Sequence, residues 1–217
     1  MPGPGATFFQ ALGQELRCLP FIAEDLGLIT DDVLLLRDQF RMPGSRILQF
    51  AYDGHADNPH LPHNFVTNTV AYTATHDHPP TREWYEQLPD SQRQNLCSYL
   101  KRGLANSVEA APALIELAWL SRAALTIAPL QDILNLGVGA RMNLPGRTDG
   151  NWRWRFTEQM VSATPFEWLR DLTERSIRCA STTSNAFGQP TRKAAHVCER
   201  IVHNRPNSGK GPSCVPS

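Results

Sequence analysis

Apolar residues along the first forty positions alternate between helical spacing and short continuous runs. Residues 7–17 place apolar side chains about one turn apart, which predicts an amphipathic helix. The run 19–23 is too short for a helix and predicts a buried strand. Thr30 stands where an N-cap is expected, before the acidic start of a helix that should end at Pro43. A strand followed by a helix in this order is one βα unit.

The same alternation continues through the body of the chain. Three more apolar runs predict strands over residues 46–51, 70–75 and 124–130, and helices are predicted over residues 81–87, 92–100 and 111–122. Strands that alternate with helices predict a parallel sheet, and sequential βα units are the local pattern of a (β/α)₈ barrel. Since a whole barrel usually needs about 250 residues, four units predict either a smaller α/β domain or part of a larger one.

The end of the chain differs in composition from the rest. Residues 178–217 contain six Lys and Arg, one Glu and no Asp, whereas residues 1–177 contain 15 basic and 20 acidic residues. The formal net charge of +0 therefore combines an acidic body with a basic tail. Because the tail has few large apolar side chains to offset the entropy of ordering, we expect it to be disordered.

Charge, hydropathy and cysteine spacing argue against several classes of protein. The balanced charge, without any run of five or six like charges, argues against a nucleic-acid partner. The apolar stretches fall far short of the about 20 residues that cross a bilayer, and the first residues lack signal-peptide features. We therefore expect a cytoplasmic protein with no membrane partner. The five cysteines form no C-x-x-C pair, which favours reduced thiols.

Ionisable residues follow three of the predicted strands. They are Glu24 with Asp25, His76 with Asp77, and Asp132. In barrel enzymes the catalytic groups stand at the C-terminal ends of strands, and two carboxylates at one mouth could carry out glycosidic-bond chemistry. The pattern alone favours the other interpretation, in which acids after a strand cap helices or lie in solvated loops.

Aromatic and histidine residues between the strands offer weaker clues. Four aromatic side chains could bury a sugar ring or equally belong to a core, namely Trp84, Tyr85, Trp152 and Trp154. His60 and His63 have a spacing of three, but they lie in a loop rich in Pro and Asn, without the helix of a zinc site. We expect no metal and no cofactor.

Six short motifs follow one another between residues 22 and 155. They are Ile22-Ala23-Glu24-Asp25-Leu26-Gly27, Met42-Pro43-Gly44 with Leu48-Gln49-Phe50, Asn58-Pro59 with Leu61-Pro62-His63-Asn64, Tyr72-Thr73-x-Thr75-His76-Asp77, Pro129-x-Gln131-Asp132, and Arg141-Met142-Asn143-x-Pro145-Gly146 with Gly150-Asn151-Trp152-x-Trp154-Arg155. In order and spacing they resemble the C-terminal part of amylomaltase, the bacterial 4-alpha-glucanotransferase family also called disproportionating enzymes. The resemblance implies an α/β fold that is the C-terminal half of a (β/α)₈ TIM barrel. Residues 1–175 would then be the C-terminal portion of the catalytic barrel, and residues 176–217 a basic tail unlike the family.

The resemblance also implies an activity and a set of site residues. The family cleaves an α-1,4-glucan, holds the donor as a covalent glycosyl-enzyme and passes it to another sugar's 4-hydroxyl, without a cofactor. Maltooligosaccharides and other α-1,4-glucans are the implied partners. Glu24 resembles the acid/base and Asp77 the transition-state stabiliser, with His76 as a hydroxyl ligand and Asn151 as a substrate contact. For these roles Glu24 should be partly desolvated, and Asp77 should stay ionised among donors.

Three features depart from the family pattern. The family's nucleophilic aspartate lies in an Arg-Ile-Asp-His type segment that this chain does not contain, so the chain is expected to be a fragment. A half-barrel would have open strand edges. His78 stands where the family commonly has Asn. Two alternatives therefore stay open: a hydrolase using Glu24 and Asp77 as acid and base, and a catalytically incomplete glucan-binding or interaction fragment.

Overall fold

The computed structural model describes residues 3–178 of the 217-residue chain. These residues divide between two units, residues 3–20 and residues 21–178. The first unit contains helix α1, Gly5–Leu16, which confirms the helix predicted over residues 7–17.

Residues 21–178 form three strands and six α-helices. The strands are β1 (Gly44–Ile47), β2 (Thr69–Tyr72) and β3 (Leu125–Ile127). The helices are α2 (Asp31–Gln39), α3 (Thr81–Gln87), α4 (Asp90–Leu100), α5 (Ala110–Leu120), α6 (Leu130–Ile133) and α7 (Ala163–Arg175). Short 3₁₀ turns occupy Leu48–Phe50, Pro62–Asn64, Ser107–Glu109 and Glu158–Met160.

The strands form a parallel sheet in the order β1-β2-β3, as the alternation predicted. Gly44 pairs with Thr69 at the start of β1, and Tyr72 pairs with Ile127 at the end of β3. Because all three strands run the same way, the residues that follow them meet at one edge of the sheet.

The prediction of a strand over residues 19–23 is wrong. Only Ala23 joins the sheet, through one parallel bridge to Gly44 in which its amide donates to the Pro43 carbonyl at 2.8 Å. Pro20 has no amide hydrogen to contribute to a ladder. A short apolar run therefore reached the sheet edge without forming a strand.

The other strands are shorter than predicted because the residues that follow β1 and β2 leave the sheet to pack in the core or to bond to a buried side chain. β1 ends at Ile47, where the chain turns so that Leu48 and Ala51 are buried in the helical core. β2 ends at Tyr72, and the next side chain, Thr73, bonds to a buried carboxylate. The apolar pattern continues through these turns, so it could not mark where the strands end.

Helix α2 begins as predicted and ends earlier. Thr30 has an extended N-cap conformation, and its carbonyl accepts the amide hydrogens of Val33 and Leu34 at 3.1 and 3.2 Å. The last helical residue is Gln39, and Arg41 takes a left-handed φ of 54°, well before Pro43. Proline takes the equivalent N-cap position before α3, α4 and α6.

One hydrophobic cluster joins the sheet to the helices. Helix α5 is apolar on nearly all sides and is surrounded by β2, α3, α4 and α7 side chains. The fully buried members of this hydrophobic cluster include Leu48, Leu96, Leu114, Ile115 and Leu172. Each such side chain stabilises the fold by about 1.5–3 kcal/mol relative to exposure. Trp84 and Tyr85 lie on α3 and pack in or against this cluster, so two of the four aromatic candidates are core residues.

The end of the described chain packs against the helical layer. The Arg178 guanidinium donates to the carbonyls of Trp119 in the last turn of α5 and of Ser121 and Ala123 just after it. Three residues of the tail predicted from residue 176 onward therefore belong to the folded unit, and residues 179–217 lie outside the described residues. Within residues 3–178, none of the helices has both the length and the apolar character of a membrane span.

Candidate active site

A cavity of about 430 Å³ lies against one face of the parallel sheet. Alternate residues of the strands and of the segment beside β1 line it, among them Glu24, Ser45, Ile47, Tyr72 and Ile127. The cavity reaches the strand-end edge, where its lining residues are Thr75, His76, His78, Gln131, Arg141 and Trp152. The helical core covers the other face, so side chains on opposite faces of the same strands serve packing and the cavity.

Glu24, the predicted acid/base, lines this cavity, and its neighbour Asp25 fastens the segment to β1. The Asp25 side chain is only 3% exposed and lies 2.5 Å from Arg37 Nη1 and 3.0 Å from Arg46 Nη1. Its Oδ1 accepts the Ser45 amide hydrogen at 2.6 Å, and Ser45 Oγ donates to the Ala23 carbonyl at 3.0 Å. The backbone on both sides of Glu24 is thereby held. Glu24 itself is exposed in the described structure, contrary to the partial desolvation expected.

Gly44 makes room for this ion cluster. A Cβ at position 44 would lie 2.7 Å from Asp25 Oδ2 and 2.9 Å from Arg37 Nη1, closer than any ordinary contact. Any larger residue would have to displace the Asp25–Arg37 pair. The glycine of the Met42-Pro43-Gly44 motif is therefore explained by close approach to a neighbouring side chain.

His76 lines the cavity and contacts Asp77. Its Nε2 lies 3.4 Å from Asp77 Oδ1. Asp77 is not among the lining residues, but the loop after α6 holds it from two sides. Asn143 Nδ2 donates to Asp77 Oδ1 at 2.5 Å, and Arg141 Nη2 donates to the Asp77 carbonyl at 2.7 Å. A donor to the Asp77 carboxylate, as expected, is therefore present on Asn143, a residue of the sixth motif to which the sequence assigned no role.

Asn151 holds a loop together instead of facing the cavity. Its Oδ1 accepts the Leu144 amide hydrogen at 2.9 Å, while its Nδ2 lies 3.3 Å from the Leu144 carbonyl and 3.0 Å from the Arg147 carbonyl. It is absent from the lining residues, whereas its neighbour Trp152 is among them. In this structure the Asn151 side chain bonds within its own loop, and its contact with substrate stays a prediction.

Asp132 is a buried structural carboxylate. It accepts hydrogen bonds from Thr73 Oγ1 at 2.6 Å, from Thr81 Oγ1 at 2.7 Å and from the Thr81 amide at 2.7 Å. Gln49 Nε2 donates to Thr81 Oγ1 at 3.2 Å and extends the network to the turn after β1. Burial raises the pKa of Asp132, and these three bonds lower it in part. Unlike Glu24, Asp132 does not line the cavity; it joins β2, α3 and α6.

His78 and His60 are two imidazoles held in half-buried positions. His78 Nδ1 lies 2.7 Å from Thr75 Oγ1, and its ring meets Phe50 edge-on at 4.9 Å. Burial lowers the pKa of His78.

Within residues 3–178, no three His, Cys, Asp or Glu side chains are grouped to hold a metal ion.

His60 makes the stability of the fold depend on pH. Its Nδ1 accepts the Ile47 amide hydrogen at 3.0 Å, which requires an unprotonated Nδ1. Burial, followed by repulsion from Arg46, lowers the pKa of His60 to about 4. The unfolded chain binds a proton near pH 6.5, so the unfolding free energy should fall as the pH decreases from about 6.5 to 4. Solvent screening of the half-buried ring reduces this loss to about 1–2 kcal/mol.

Urea denaturation of the full chain between pH 4 and 7 measures this loss. The matched variant is His60→Gln, since a glutamine amide oxygen accepts a hydrogen bond and does not titrate. We expect the wild type to lose more stability on acidification than the variant. Parallel pH profiles for the two proteins would contradict the role of His60.

Comparison with known proteins places the chain in a family. Residues 1–161 match the family model described as 4-alpha-glucanotransferase. The 4-alpha-glucanotransferase of Aquifex aeolicus is 48% identical over 164 residues, which cover 75% of this chain and 33% of that protein. The chloroplastic/amyloplastic 4-alpha-glucanotransferase of Solanum tuberosum is 44% identical over 167 residues, which cover 77% of this chain and 28% of that protein.

Solved structures show the same relationship. The amylomaltase from Streptococcus agalactiae, in complex with acarbose, matches with a TM-score of 0.77 at 29% identity, covering 83% of this chain and 36% of that one. The amylomaltase from Corynebacterium glutamicum, 21% identical over 77% of this chain and 29% of that one, shares the fold with a TM-score of 0.52. The chain spans about a third of the length of the curated relatives it matches. On the match over residues 1–161 and these relatives, the chain belongs to the 4-alpha-glucanotransferase family.

Proposed function

We propose that this chain forms part of an enzyme that transfers a segment of an α-1,4-glucan to the 4-hydroxyl of an acceptor sugar with retention of configuration. The observation that carries the proposal is the cavity on the sheet face, which both Glu24 and His76 line, in a chain of the 4-alpha-glucanotransferase family. Maltooligosaccharides are the proposed donors and acceptors.

The reaction requires two carboxyl groups with different duties. Glu24 protonates the glycosidic oxygen as the bond to the anomeric carbon breaks, and a carboxylate outside this chain bonds to that carbon. Glu24, now ionised, removes the proton from the acceptor 4-hydroxyl, whose oxygen displaces the enzyme carboxylate. One glycosidic bond is broken and one is formed, and Glu24 returns to its protonated state.

The remaining residues orient the sugar and stabilise its charge. Asp77 carries a negative charge toward the oxocarbenium-like transition state, with Asn143 fixing one carboxylate oxygen. His76 binds a sugar hydroxyl. Asn151 maintains the conformation of the loop after α6 through its side-chain amide.

The proposal extends to the rest of the barrel. The cavity face carries half-exposed side chains such as Tyr72 and Ile127, while the opposite face is covered by helices. In a closed barrel the inner face is covered by the remaining strands. We therefore propose that this sheet belongs to the C-terminal half of a (β/α)₈ barrel, and that the other half covers Glu24 and supplies the nucleophile.

A chimera tests the proposal with maltotriose as substrate. In it, this chain replaces the matching third of the Aquifex aeolicus 4-alpha-glucanotransferase. We expect glucose together with oligosaccharides longer than maltotriose, separated by chromatography. The parent enzyme is the positive control, and this chain alone is the negative control.

Two other outcomes would support the alternatives. Sugars no longer than the substrate, with a rise in reducing ends, would indicate an α-glucan hydrolase, in which water replaces the acceptor sugar. Binding of maltoheptaose by the chain, with no turnover in a correctly folded chimera, would indicate a glucan-binding piece without catalytic competence. Either result would overturn the proposed transfer reaction.

A further inference from the structure

We infer that Trp152 is a stacking platform for a glucosyl ring of the bound glucan. The inference rests on the proposed function, because it names how the same cavity holds its substrate. It adds a binding residue that contacts the apolar C–H face of the sugar. Such a residue supplies affinity without taking part in proton transfer.

Trp152 is placed where a sugar could reach it. Its side chain lines the cavity, and the residue is 53% exposed. The other four tryptophans, all within the described residues, do not line the cavity. The Trp152 ring lies 5.1 Å from the His76 ring at an interplanar angle of 36°. An aromatic face and a hydrogen-bonding imidazole therefore stand side by side, which matches a sugar ring with an apolar face and a polar rim.

The backbone holds Trp152 in an unusual conformation. Its φ of 61° is left-handed, a conformation that is uncommon and unfavourable for a bulky residue. The Trp152 amide donates to the Met142 carbonyl at 2.7 Å, and the preceding Asn151 side chain closes the loop. Such a conformation persists only where surrounding contacts enforce it, and strained residues of this kind cluster at active and ligand sites.

The loop segment that bonds to Trp152 also bonds to Asp77. Asn143, next to Met142, donates its backbone amide to the His76 carbonyl at 3.0 Å and its side-chain amide to Asp77. Arg141 donates to the Asp77 carbonyl. The loop that carries Trp152 is thus bonded to the His76–Asp77 pair, which fixes the aromatic face relative to the proposed transition-state stabiliser.

Maltoheptaose binding to the full chain tests the inference without requiring turnover. Titration calorimetry gives the affinity, and tryptophan fluorescence reports whether the ring meets the sugar. We expect Trp152→Ala to weaken binding about tenfold, the loss of one aromatic stacking contact. Trp152→Phe should keep most of the affinity and lose most of the fluorescence change, because the other four tryptophans lie outside the cavity.

Phe156→Ala is the matched control. Phe156 is an aromatic residue four positions later, 55% exposed and absent from the cavity lining. Its removal should leave maltoheptaose binding unchanged. Circular dichroism of each variant verifies that the fold is retained.

The outcomes separate this inference from the proposed function. If the wild type binds maltoheptaose and Trp152→Ala binds equally well, the platform is wrong and the proposed function stands. If Trp152→Phe retains the full fluorescence change, a different tryptophan meets the sugar and the inference is again wrong. If the wild type binds no maltoheptaose, the glucan site of this chain and the platform both fail.

Discussion

Replacing Glu24 by glutamine is expected to lower the rate of glucan transfer by about 10²–10⁴-fold in the chimera with the Aquifex aeolicus enzyme. Glutamine keeps the size and hydrogen-bonding capacity of the side chain, but it can neither donate a proton to the leaving oxygen nor accept one from the acceptor. The measurement is kcat for maltotriose disproportionation. KM should change much less than kcat, since the lost interaction is a proton transfer in the transition state.

The two proposed roles of Glu24, protonating the leaving group and deprotonating the acceptor, can be tested separately with reagents that need only one of them. Fluoride leaves without being protonated, so α-maltosyl fluoride should restore the first step in Glu24→Gln. Azide has no proton to lose and should restore the second step when added as acceptor. A variant impaired only by misfolding would gain from neither reagent.

Asp31→Asn is the control for the loss of a carboxylate in the same part of the chain. Asp31 is exposed in the first turn of α2 and does not line the cavity. Its replacement should leave kcat within about twofold of the parent, as expected of a surface substitution. Transfer by Glu24→Gln at a rate near that of Asp31→Asn would refute the assignment of Glu24.

The second large effect is expected on stability. Asp132→Ala should lower the unfolding free energy by about 3 kcal/mol, because buried donors on Thr73 and Thr81 would lose their shared acceptor. These donors come from the end of β2 and the start of α3, so the loss separates elements that the carboxylate joins. Urea denaturation of the full chain at pH 7 measures the change.

Asp132→Asn distinguishes the loss of an acceptor from the loss of a charge. Asparagine keeps one oxygen for the Thr81 amide, so we expect roughly half of the alanine effect. Because burial raises the pKa of Asp132, ionising it costs stability. The unfolding free energy of the wild type should therefore fall relative to Asp132→Asn as the pH rises between the usual carboxyl pKa and the raised one.

His60 acts in the opposite direction over an overlapping pH range, so the comparison must be made between Asp132 variants. Both proteins contain His60, and its contribution cancels in their difference. A difference that does not vary with pH would show that Asp132 titrates at the same pH in both states. An alanine variant as stable as the wild type would show that the network is dispensable.

The motifs indicated the family better than they indicated the contacts of individual side chains. The order of the six motifs indicated the family, which the match over residues 1–161 confirms. The roles of Glu24, Asp77 and His76 stay predictions until their variants are assayed. The contacts of Asp25 and Asn143 could not be predicted from the sequence, since they depend on Arg37, Arg46 and Asp77, which approach from distant positions in the chain.

Asn151 and Trp152 show why the sequence does not distinguish adjacent candidates for a sugar contact. Both belong to one short motif, and either is suited to bind a sugar. The sequence contains no signal for the left-handed φ at Trp152 or for the closure of the loop by Asn151. These features arise when the loop folds back on itself, and they decide which of the two side chains faces the cavity.

The sequence by itself determined the parallel α/β order, the positions of α3 and α5 and the family, because hydrophobic periodicity and local motifs are properties of neighbouring residues. Only the tertiary structure decided that residues 19–23 contribute one bridge, that Asp132 is buried in a network, and that Trp84 and Tyr85 belong to the core. Each of these depends on which distant segment lies opposite. A carboxylate or an aromatic ring has the same local pattern in a core as in a cavity, and only its surroundings distinguish the two.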